Sequence, residues 1–85
     1  MRLPVIKHIN QFIGENDRDF VNEAILVLEN LAESEALKDE ELDVIGELLS
    51  NMYGALEVDE MVKEGKPVKD ALNDFMKRVV GSIDQ

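Results

Sequence analysis

A small all-α domain of four helices, paired into a homodimer, is the fold class this sequence predicts. Three observations carry it. Apolar residues recur at helical spacing in four separate segments, and no segment alternates in the manner of a strand. Gly14-Glu15-Asn16-Asp17 and Gly65-Lys66-Pro67 punctuate the chain with helix stops and restarts. The third segment is apolar over about half its circumference, wider than the roughly 100° arc needed to cover one core.

In the first segment Val5, Ile6, Ile9, Phe12 and Ile13 share one helical face, and Pro4 suits a first helical turn. After the break at Gly14 to Asp17, Phe20, Val21, Ala24, Ile25, Val27, Leu28, Leu31 and Ala32 define the second helix. Asn16 or Asp17 is expected to cap its start, where negative charge meets the positive end of the helix dipole. Leu26 falls outside that apolar arc and is a candidate contact with a second subunit.

The third helix is expected to open at Asp39-Glu40-Glu41, with Leu37 stapled onto Leu42, and to run to Glu64 with a bend near Gly54. Leu42, Ile45, Leu49, Met52 and Leu56 recur at steps of 3, 4, 3 and 4, a coiled-coil-like seam. Val44, Leu48, Tyr53 and Ala55 widen the arc. Gly46, Ser50 and Gly54 stand four apart, a stripe of small residues where another backbone can approach. The expected interface is therefore Leu42, Ile45, Gly46, Leu49, Ser50, Met52, Tyr53 and Leu56, split between the subunit core and a second copy. On this reading Gly46→Leu dissociates or unfolds the dimer through overpacking. In the fourth helix Val68, Ala71, Leu72, Phe75, Met76, Val79, Val80 and Ile83 form the buried face. Short connections imply antiparallel neighbours.

Composition bounds the function classes. Eighty-five residues make one domain, 1–85, and a core this small leaves a monomer marginally stable. The chain has no cysteine, which excludes disulfides, zinc-thiolate sites and thiol catalysis and fits a cytoplasmic protein. The opening residues show no signal peptide, and the longest apolar run, Ala24 to Leu28, is far below the roughly 20 residues of a membrane span. The net charge is −10; from Asp19 to Val62 there are thirteen acidic side chains and one basic one, Lys38. From Lys63 to Arg78 the balance turns to five basic and three acidic. Nucleic acid and anionic membranes are disfavoured as partners, because both need a basic footprint. The acidic surface reads first as a solubilising face and second as a docking face for a basic protein.

No residue constellation carries chemistry. His8 is the single histidine, at the edge of an apolar face with no carboxylate three or four residues away to orient it. Asp43 with Glu47, and Glu60 with Glu64, lie off the apolar stripe, and there is no Glu-x-x-His pair for a di-metal bundle. Glu15-Asn16-Asp17-Arg18-Asp19-Phe20 lacks the turn glycine of a calcium loop and reads better as a helix cap. No glycine-rich phosphate loop is present. The expectation is no catalytic residue, no cofactor and no metal.

Two resemblances add to this. Asp39-Glu40-Glu41-Leu42-Asp43-Val44 looks like the start of the helix that follows the modified serine of acyl carrier proteins, but Glu40 or Glu41 stands at the serine position, so no phosphopantetheine arm is implied. Leu42-Asp43-Val44-Ile45-Gly46-Glu47-Leu48-Leu49-Ser50-Asn51-Met52, then Ala71-Leu72-Asn73-Asp74-Phe75, then Val80-Gly81-Ser82-Ile83, resembles the YejL family of small uncharacterised bacterial proteins. The likeness spans residues 20–83, leaves the first helix without a counterpart, and departs in the longer, more charged stretch 58–66. It implies an all-helical intertwined homodimer of unknown function and supplies no catalytic residue. The leading expectation is a non-enzymatic homodimer that binds another protein. The alternative is a monomeric adaptor that takes a partner helix in its open apolar arc, with a carrier-like or metal-binding role behind it.

Overall fold

A computed structural model describes the backbone of residues 2–83 and the side chains of residues 2–79. It contains four α-helices in the order α1 (Leu3–Glu15), α2 (Asp19–Leu31), α3 (Asp39–Lys63) and α4 (Val68–Ile83), with no strand among the described residues. The all-α expectation therefore holds. No helix is long and apolar enough to cross a membrane among the residues described.

Local chemistry sets the boundaries. Pro4 sits in the first turn of α1, where its missing N–H costs nothing. At the far end Asn16 Nδ2 donates to the Phe12 carbonyl at 3.2 Å and occupies one of the last free acceptors. Asp17 Oδ1 accepts the backbone N–H of Asp19 at 2.9 Å, so the expected cap acts there, although Arg18 holds the cap position itself. Before α3, Glu41 Oε1 accepts the Lys38 N–H at 2.9 Å and ties down the first turn. The stop after α3 is a Schellman motif: Lys66 N–H bonds the Met61 carbonyl at 3.2 Å and Gly65 N–H bonds that of Val62 at 3.0 Å. Gly65 has φ +106°, a conformation a Cβ would strain. Pro67 lies one residue before α4 rather than inside its first turn, and its carbonyl accepts the Ala71 N–H at 2.9 Å.

The core is Ile6 and Ile13 of α1, Val21 and Ile25 of α2, Ala55 and Val58 of α3, and Ala71, Leu72 and Phe75 of α4. Val68, expected in the buried face of α4, is exposed because it lies in the first turn. The side chains of Val80 and Ile83, also expected there, lie outside the described residues. α3 touches each of the other three helices and continues through Gly54 without interruption. α2 runs antiparallel to it, with Arg18 meeting Glu60 at one end and Leu31 beside Val44 and Ile45 at the other. α4 also packs on α3, with Phe75 over Gly54 and Arg78 paired to Glu57. α1 lies across the middle of α3, tied by the Arg2 N–H to Asn51 Oδ1 at 2.9 Å and by Ile6 against Gly54. The Cα envelope is a slab of 43 × 35 × 17 Å.

Candidate interaction face

α3 presents different sides to different partners along its length. By helical register Leu42, Ile45, Leu49, Met52 and Leu56 fall within about 80° of one another. This is the side turned to α2: Ile45 is buried, the other four are half-buried, and Leu49, Met52 and Leu56 pack on the chain's own core. Asn51 and Ala55 lie on a second side, beneath α1. Val44 and Leu48 share that second side, within about 60° by register, but two turns earlier, where α1 no longer covers them. They are 58% and 39% exposed.

The same division is visible on α2. Its N-terminal part is met by α1: Ile9 and Phe12 approach Phe20, Val21 and Ala24 around a cleft of about 280 Å³ that Met52 also lines. Phe12 and Phe20 meet edge to face at 6.2 Å between ring centres. Further along α2, Val27 and Leu31 stand exposed. Leu31, Leu37, Val44 and Ile45 line a second groove of about 410 Å³, with Glu40 and Glu41 at its rim. The α2–α3 hairpin thus has one apolar face, covered by α1 at one end and open at the other.

The residues singled out from sequence separate accordingly. Leu42, Ile45, Leu49, Met52 and Leu56 form the internal α2–α3 seam. Gly46 is exposed with nothing within 4 Å of where a Cβ would stand, so no part of its own chain approaches it. Ser50 is half-buried on the same flank. Tyr53 is exposed there, its hydroxyl donating to the Glu29 carboxylate. Of the three small residues, Gly54 alone takes a close approach, with Phe75 at 3.0 Å and Ile6 at 3.1 Å from a Cβ position. Leu26 is exposed, as its place outside the arc of α2 implied. Val44 and Leu48, which in sequence only widened an arc, form the open face with Val27, Leu31 and Leu37. The signal that finds them is their four-residue spacing in the part of α3 that precedes Asn51.

Polar groups hold the scaffold. Asn51 is buried, and its Nδ2 donates to the Glu47 carbonyl at 2.9 Å while its Oδ1 takes the Arg2 N–H, which satisfies the amide at both ends. Asp59 is buried where the α1–α2 turn meets α3. Its Oδ2 accepts no well-aligned hydrogen bond and is balanced by charge, with Arg18 Nη1 at 3.2 Å and Lys63 Nζ at 3.4 Å. Lys66 Nζ donates to Asp74 Oδ2 at 2.6 Å; this bond holds the carboxyl below its usual range and the ammonium above its own. Much of the basic stretch from Lys63 to Arg78 is thus turned inward on the chain's own acids. His8 is exposed at the mouth of the α1–α2 cleft. Among the described residues no three His, Asp or Glu side chains gather as metal ligands.

Helices, caps and open face together define a small all-α four-helix domain. The chain belongs to DUF6952, a family of unknown function whose model matches residues 1–84. The match takes in α1, which the likeness to the YejL family leaves out, and nothing links the chain to YejL proteins. No curated protein and no solved structure matches it.

Proposed function

We propose that the protein is a non-enzymatic, cytoplasmic protein-interaction module whose working unit is a homodimer. The observation that carries this is surplus surface. The chain leaves 5932 Å² accessible. A compact monomer of 9.6 kDa exposes about 5100 Å². The surplus, roughly 800 Å², matches what each partner contributes to a standard interface. The radius of gyration points the same way, at 13.8 Å against about 12 Å for a compact domain of this length. Outside the self-association surface the exposed charged side chains are mainly acidic, which favours a basic protein partner over nucleic acid or membrane.

The test is solution mass by light scattering across a wide range of concentrations. A plateau at twice 9.6 kDa is expected. A mass of one chain throughout would sink the dimer and favour the second reading, a monomeric adaptor. That reading has its own support in Glu40 and Glu41 at the rim of the apolar groove, an arrangement suited to a basic amphipathic helix.

A further inference from the structure

We propose that a second copy of this chain seats on the open end of the α2–α3 hairpin, on Val27, Leu31, Leu37, Val44 and Leu48, and not on the Gly46–Ser50 stripe. The inference rests on the homodimer reading and names its contact surface.

Three observations select this face. First, α1 already shows what this hairpin face accepts: where it lies across α2 and α3 it buries Val21 and half-buries Ala24 and Met52. The continuation of the same face, one to two turns further on, has the same apolar character and no cover. Leu31, Leu37, Val44 and Ile45 line it, and Val27 and Leu48 extend it along each helix by one turn. Second, the surplus surface of the chain is the size that one partner of a standard dimer contributes, and a symmetric dimer needs a single self-complementary patch. An apolar patch is self-complementary without any matching of charge. Third, charge argues against the other side of α3. By register Gly46 and Ser50 share their flank with Asp43 and with Glu57, whose charge Arg78 already meets, so two copies meeting there bring the Asp43 carboxylates together. On the proposed face Glu40 and Glu41 stand only at the rim, where they stay in water.

The experiment uses the full chain in three forms: wild type, Val44→Asp and Gly46→Leu. Each is followed by sedimentation equilibrium and by far-ultraviolet circular dichroism. Val44 is well exposed within one chain, so Val44→Asp is expected to keep its helicity while its dimer weakens by roughly 100-fold or more, since two carboxylates are forced into one apolar contact. Gly46→Leu is expected to stay dimeric. A footprinting measurement on the wild type needs no variant: hydroxyl-radical labelling of Val27, Leu31, Val44 and Leu48 should fall as concentration rises through the dimer transition. A folded, dimeric Val44→Asp overturns the proposed face and leaves the homodimer standing. So does labelling that falls at Ser50 and Tyr53 instead. A wild type monomeric at every concentration overturns both. Release of a dimer in exchange for a basic amphipathic peptide at the groove would assign the face to another protein and overturn it as well.

Discussion

Tyr53 is the only tyrosine, in a chain without tryptophan, and it stands on the surface with its hydroxyl bonded to Glu29. That bond holds the phenol above its ordinary titration range, with partial desolvation and the nearby negative charge acting in the same direction. A raised tyrosine pKa means the folded state binds the proton more tightly. The contribution is therefore complete below the ordinary tyrosine range and is lost as pH rises through the folded value. Glu29→Gln should bring the Tyr53 titration back toward its ordinary position, read directly from phenolate absorbance. An unmoved curve would mean the two side chains do not meet in solution. The sequence put Tyr53 in the widened apolar arc of α3 and in its expected interface, and had no means to find its partner. Glu29 is on another helix, and only the pairing of α2 with α3 brings them together.

The elements show where sequence reading succeeds and where it blurs. All four helices were legible, because each has its own apolar spacing and because Asp17, Glu41 and Gly65 mark boundaries with specific hydrogen bonds. α3 was harder. Projected on one wheel, its apolar residues fill half the circumference and suggest a single broad face. In the fold the helix changes neighbours along its length: Ile45 and Leu49 serve α2, Ala55 and Val58 serve α1 and α4, and Val44 and Leu48 stay outside the core and exposed. Position along the axis, which a wheel discards, decides which apolar residue is covered. The same loss explains why Gly46 and Gly54 looked alike. They should respond oppositely. Gly46→Ala adds a Cβ into open space and should stabilise the fold by up to about 1 kcal/mol through helix propensity. Gly54→Leu must displace Phe75 and Ile6 and should cost about 1–3 kcal/mol or more. Urea unfolding of the two variants reads both signs, and equal effects would mean that α1 and α4 do not close on Gly54.

At the scale of the whole molecule, net charge opposes the association that the open face favours. Each chain carries −10, so a dimer forms against its own field. Raising ionic strength from about 0.01 M to 0.15 M shortens the screening length from roughly 30 Å to 8 Å. The dimer should therefore tighten with salt, as measured by its dissociation constant in sedimentation. A dimer that loosens would point to ion pairs across the contact and away from an apolar one.

The position of α3 also ranks the motions of the fold. Every other helix docks on it, so the loss of α2 or α4 alone still leaves it a partner on another side. Its middle stretch, from Asn51 to Val58, is shared by α1 and α4 at once. Backbone amides there are released only when the whole chain opens, and they are the slowest clock in the molecule under native-state deuterium exchange. The first turns of α3, beside Val44, have α2 alone to hold them in one chain and keep faster time until a second copy arrives.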